Sequence, residues 1–224
     1  MTKTDMSEKG LEDLIVASFT GQDTAFSPQA DGILEKPDVP YGHSVYVQGD
    51  SAHYDKDHAV DLDKLLRFLR ATQPKVVEQL ALDVDGPRRR AFLARLQGQI
   101  TARGIIDVLR KGVEDGPVAV DLFYGTPSPG NPKAAQLFNA NVFSVTRQLH
   151  YSRDESGLAL DLCLFINGLP VVTFELKNRL TKQTVDDAVR QYKRDRDPRD
   201  LLFRFGRCLV HFAVDDQEVR FCTH

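Results

Sequence analysis

The sequence has 224 residues, a mass of 25.1 kDa and a net charge of −3 from 29 basic and 32 acidic side chains. With 42% hydrophobic and 27% charged residues it holds enough material for a packed core, which excludes a wholly disordered chain. No apolar run approaches the ~20 residues of a membrane span, and the charge balance argues against a simple basic coat for DNA. The polar start MTKTDMSEKG lacks the apolar centre of an export signal. Cys163, Cys208 and Cys222 are an odd count without zinc-like spacing, so they read as reduced thiols of a cytoplasmic protein.

Taken in chain order, the spacing of Leu11, Leu14, Ile15 and Phe19 predicts an opening helix over 10–19. A stretch rich in Gly, Pro and Asp then reads as loop to about residue 41, followed by a short strand at 43–48. Residues 61–82 are helical in pattern, and Pro74 must split them because it cannot continue the backbone ladder. A further helical stretch covers 88–109, with Gly98 and Gly104 as weak points. From there the pattern changes: strands are predicted at 118–124, 141–148, 158–166 and 170–176, with the loop GTPSPGNPK at 125–133. A helix at 184–194 carries Asp186 and Asp187 in its first turn, where negative charge suits the helix dipole. Strands at 208–214 and 218–221 complete the chain. The fold class is α/β (α+β), a mixed sheet flanked by helices, read as one domain over 1–224 with a mainly helical part at 10–115 and a sheet-containing part at 116–224.

Charge is unevenly spread. Residues 1–63 hold 4 basic and 13 acidic side chains, 86–111 hold 7 and 1, and 177–207 hold 10 and 5. The basic stretches, including Arg88, Arg89 and Arg90 beside Pro87, read either as a side facing a polyanion or as solvated helix faces.

The chemistry is concentrated in LALDLCLFINGLPVVTFELKN, residues 158–178. Asp161 lies inside one apolar strand, and Glu175 and Lys177 end the next, where charges are costly unless paired or bound to a metal. Glu175 and Lys177 are two apart and share a face. Whether Asp161 joins them depends on the hairpin. A two-residue turn at Asn167 and Gly168 would set Glu175 opposite Leu160 and point Asp161 away. A three-residue loop from Ile166 to Gly168 would set Asp161 opposite Thr173, on the face of Glu175. The expectation is therefore the longer loop or a bulge in one strand. Two converging carboxylates with a backbone carbonyl are hard oxygen ligands suited to Mg²⁺, with Mn²⁺ as a substitute. Lys177 beside them suits orienting a water or stabilising phosphorane charge better than it suits a general-base role.

Asp161 followed by Glu175-Leu176-Lys177 resembles the PD-(D/E)xK nucleases, and DLCLFINGLPVVTFELKN followed by DDAVRQYKRDR resembles the N-terminal nuclease domain of type I restriction-enzyme R (motor) subunits. The resemblance is strongest over 148–214. It implies a restriction-endonuclease-like core and Mg²⁺-dependent cleavage of double-stranded DNA. It also implies an ATP-driven translocase elsewhere in the parent subunit, and separate methylation and specificity subunits as partners. By position it makes Asp161 and Glu175 metal ligands with the Leu176 carbonyl, Lys177 the catalytic lysine, and Glu12 an acid near the metal. The family often follows its lysine with Gln-x-x-x-Tyr. Tyr192 matches the tyrosine, Ala188 stands where the glutamine falls, and Gln191 occupies a different helical position. The residue before Asp161 is Leu160 rather than proline.

The implied chain is a fragment of a larger subunit. Two alternatives stand beside this reading: a non-catalytic docking or DNA-binding module that keeps the fold, and a repair nuclease of the same superfamily. The six histidines show no ligand spacing, and GTPSPGNPK lacks a Gly-Lys-Ser/Thr ending, so no ATP site is expected here.

Overall fold

The structure, a computed structural model, describes residues 7–21, 46–154 and 157–223. Helix α1 (Glu8–Thr20) starts where the Ser7 hydroxyl accepts from the Gly10 amide, and ends at left-handed Gly21. The expected loop before residue 42 falls, from residue 22 on, outside the described residues, as does the first part of the strand expected at 43–48. What is described of that strand is β1 (Val47–Gln48). A small hairpin, β2 (Tyr54–Asp55) with β3 (Val60–Asp61), leads into α2 (Leu62–Thr72), capped by Asp61. Pro74 occupies the first turn of α3 (Pro74–Gln79), so the expected proline break is where the helix divides.

Helix α4 (Pro87–Arg103) is separated from α5 (Ile105–Lys111) by Gly104, while Gly98 interrupts nothing. Strands β4 (Val113–Asp115) and β5 (Val118–Val120) form a separate hairpin, so the strand expected at 118–124 is shorter and lies outside the main sheet. Helix α6 (Pro132–Asn139) begins inside the expected loop, because the Asn131 side chain caps the Ala134 amide and Pro132 suits a first turn.

The main sheet then forms from β6 (Phe143–His150), β7 (Ala159–Ile166), β8 (Leu169–Leu176), β9 (Val210–Val214) and β10 (Val219–Cys222), with β1 at its edge and the order β1-β6-β7-β8-β9-β10. Strands β6, β7 and β8 run antiparallel in sequence, whereas β8 and β9 are parallel and joined through helix α7 (Val185–Arg194). The helices and sheet together form the mixed α/β architecture expected. One apolar cluster joins Val16, Leu65, Phe68, Phe92 and Ile100 to Val145, Leu162 and Leu176 of the sheet. A second gathers Leu149, Leu160, Phe165 and Phe203.

The β7–β8 hairpin decides the register at the site. Ile166 pairs with Leu169 across a two-residue turn in which Asn167 and Gly168 both have positive φ, so the longer loop is not formed. The alternative, a bulge, is. Phe165 pairs with Pro170 but Leu164 with Val172, which leaves Val171 as an extra residue in β8. The turn is held tight from outside. The Asn167 side chain accepts from the Val142 amide at 2.6 Å and donates to the Leu122 carbonyl at 2.9 Å. The Gly168 carbonyl accepts from the Asp61 amide at 2.8 Å, and a side chain at 168 would collide with the backbone of Asp61 and Leu65.

Candidate active site

Beyond the bulge Leu162 pairs with Phe174, and this register brings Asp161 level with Glu175 on the neighbouring strand. The convergence expected from the sequence therefore occurs, through the bulge rather than the loop. One oxygen of Asp161 accepts from the Leu176 amide at 2.7 Å and the other from the Gln148 side chain at 3.3 Å. Leu176 thus contributes its amide to the carboxylate that lies across from Glu175.

Glu175 is fully buried. Its Oε1 accepts from Arg196 Nε at 2.7 Å and also from Arg196 Nη2. The rest of that guanidinium donates to the Tyr151 hydroxyl and the Ala159 carbonyl at 2.9 and 2.8 Å. Glu175 Oε2 is buried and accepts from no donor. Burial pushes the Glu175 carboxyl up to about 8, and neighbouring Asp161 adds to the push against the opposing pull of Arg196 and Lys177. The guanidinium moves the opposite way to its own burial, raised by Glu175 and Tyr151.

Lys177 is nearly buried and its ammonium donates to Glu8 of α1 at 3.3 Å. One turn along α1, the buried Glu12 accepts from Gln148 Nε2 at 2.9 Å and from Arg147 Nη1 at 3.3 Å. Arg147 also pairs with Asp13. The opening helix therefore reaches the ends of β6 and β8, and Glu12 lies one side chain away from Asp161.

Tyr192 takes a different place. Its hydroxyl shares a hydrogen bond with Thr173 at 2.8 Å, and Thr173 a second with His211 at 2.7 Å, so it ties α7 to β8 two residues before Glu175. Gln191 lies half-buried on α7, and no hydrogen bond joins it to Asp161, Glu175 or Lys177. Ala188 is fully buried against Val185 and Ala213, a space shaped for a methyl group. The basic triplet is balanced locally: Arg89 and Arg90 pair with Asp85, and Arg88 donates to the Gln79 carbonyl.

With this geometry in place, the match to known proteins is direct. The family model for the type I restriction enzyme R protein N terminus matches residues 71–224. The chain belongs to that family. No curated protein matches it. The matched stretch of this R-protein N-terminal domain includes Asp161, Glu175, Lys177 and Tyr192, while Glu8 and Glu12 precede it and reach the site only through the fold. Membership supports a role in a type I restriction system related to its nuclease, and no helix among the described residues is long and apolar enough to cross a membrane.

The donor set fits a divalent cation on a feature of the structure itself. Arg196 partners one oxygen of Glu175, and the other is buried without a donor, level with a second carboxylate, which leaves room in its chemistry for one more positive partner. A second group, His53, Asp61 and Asp63, brings ligand atoms within 4.8 Å of one another, but the Lys64 ammonium already sits on Asp63 at 2.8 Å. His58, in the same segment, is paired with Asp55. Two residues of the site carried no usable signal in sequence. Arg196 sits in the run RDRDPRD, where a buried arginine looks like any solvated charge, and Gln148 is one polar residue in an alternating strand.

Proposed function

We propose that this domain is the Mg²⁺-dependent endodeoxyribonuclease of a type I restriction R subunit, hydrolysing phosphodiester bonds of double-stranded DNA. The observation that carries the reading is the unpartnered Oε2 of Glu175 beside Asp161, in a family whose R subunits belong to restriction enzymes. Asp161, Glu175 and the carbonyl of Leu176 would hold the ion. When bound, it supplies Lewis-acid charge and a water of lowered pKa.

The chain's own side chains do the rest. Arg196 fixes one oxygen of Glu175 and so aims the other. Lys177, restrained by Glu8, places an ammonium where charge develops on the phosphoryl oxygens during in-line attack by water. Tyr192 holds β8 against α7 and is read as a support of the strand rather than a participant. ATP-driven translocation and sequence recognition fall to other parts of the parent enzyme, its methylation and specificity subunits included.

The test is titration of Mg²⁺ and Mn²⁺ into the wild type, Asp161→Ala and Glu175→Gln, by calorimetry and thermal melting, followed by cleavage assays in the complete enzyme. The expected result is binding by the wild type that both substitutions abolish. An identical response of all three proteins would sink the metal site and leave a docking module.

A further inference from the structure

Gln148 is a non-glycine residue with φ of +43° in the middle of β6, a region that side chains enter at a cost. The ladder registers this. Arg147 pairs with Leu162 and Leu149 with Leu160, but between them the rung from Gln148 to Asp161 is missing. The side chains also change layer there. Strict alternation would place Leu149 with Val145 and Leu160 with Leu162, yet Leu149 and Leu160 pack in the opposite apolar cluster. Strain held at one residue beside a functional site calls for a gain elsewhere.

The gain is in the side-chain amide. Carboxylates only accept, so the NH₂ end of Gln148 must face both acids, and it donates to Glu12 at 2.9 Å and to Asp161 at 3.3 Å. Glycine or asparagine would hold the same backbone angle more easily. Neither carries an amide at this reach. We propose that Gln148 is a positioning residue: its amide spans Glu12 of α1 and Asp161 of β7 and holds both carboxylates in place to receive a divalent cation. The inference rests on the nuclease reading and extends it to a residue outside the Asp161, Glu175 and Lys177 set. Two acids that share one neighbour repel unless a donor lies between them; Arg147 reaches Glu12 from one side, and the amide supplies the donor between the acids without placing a charge on Asp161 that would compete with a cation. Outer-shell partners of this kind orient ligands that they do not replace.

The experiment compares Mn²⁺ binding by calorimetry, together with thermal melting, in the wild-type chain, Gln148→Asn, Gln148→Met and Asp161→Ala. Asparagine relaxes the backbone and keeps an amide that is one methylene too short. Methionine keeps the length and loses the donor. Both are expected to weaken Mn²⁺ binding by about 10- to 100-fold. The asparagine variant should melt no lower than the wild type, which separates positioning from fold support. Wild-type affinity in either folded variant overturns the role of Gln148, and if one variant fails to fold, the other decides. No Mn²⁺ binding in the wild type, or equal binding by Asp161→Ala, overturns the metal site and this role with it.

Discussion

Two buried carboxylates at the ends of adjacent strands, each with an arginine beside it, have opposite fates in this fold. Asp215 follows Val214, the β9 partner of Leu176, and both its oxygens are satisfied. Oδ1 accepts from the amides of Gln217 and Glu218 at 2.8 Å each, and Oδ2 from the Val185 amide at 2.9 Å and Arg179 at 3.3 Å. Burial pushes its carboxyl up, but these donors outweigh burial and hold it at about 2. Glu175 has one oxygen on Arg196, another on nothing, and is pushed up to about 8. Asp215 is supplied with backbone donors on both oxygens; Glu175 is left short of them. Asp215 locks the β9–β10 turn to the start of α7, whereas Glu175 ends in an unmet demand.

The largest test of this contrast is Arg196→Met. With its ion-pair partner gone, Glu175 would be a buried, unpaired acid, and a loss of about 3–5 kcal/mol is expected. The loss should grow as pH rises. Arg196 holds the Glu175 carboxyl down to about 8 against burial, so without it the folded-state pKa rises still further above the free value of 4.5, and the variant loses more stability than the wild type as pH climbs through and past about 8. Urea denaturation at pH 6 and pH 9 measures this, and equal losses at both would mean that Glu175 is not the group being stranded. Next comes Asp215→Ala, expected to cost about 3 kcal/mol because three amides and a guanidinium lose a charged acceptor. Here the pH sign reverses. The folded pKa lies below the free value of 3.8, so the contribution is complete above about pH 4 and disappears as pH falls towards 2. Wild-type acid unfolding should therefore be delayed relative to the variant, and coincident acid transitions would remove Asp215 from the account.

The same contrast explains what was legible in the sequence. Asp161, Glu175 and Lys177 could be read because charges interrupt apolar strands at a spacing that chemistry recognises. Their convergence could be framed but not decided, because the bulge at Val171 depends on Asn167 and Gly168 being pinned by segments far away in sequence. VAVDLFY has strand character whichever sheet it joins, so the pairing of Val118–Val120 with Val113–Asp115 was invisible. Arg196 and Asp215 are charges whose burial comes entirely from tertiary structure. Ala188 was legible as an absence, and the structure adds its reason: Val185 and Ala213 close around it. Ala188→Gln should therefore destabilise the domain by about 2 kcal/mol through overpacking, without strengthening Mn²⁺ binding. A gain in metal affinity from that variant would show that the helix can open to seat an amide.

The smallest expected effect is the most pointed. Arg179→Met removes the arginine of the satisfied carboxylate, as Arg196→Met removes that of the unsatisfied one. Arg179 has a side chain 43% exposed, reaches Asp215 at 3.3 Å and lies 3.9 Å from Asp216, so solvent already screens its charge. Asp215 keeps its three amides when the guanidinium is gone. A loss below about 1 kcal/mol is expected, with the acid transition moved only slightly. If the two arginine variants instead cost the same in urea denaturation, backbone amides would not be what settles Asp215. The orphaned oxygen of Glu175 would then cease to distinguish a carboxylate held for a cation from one that merely builds the fold.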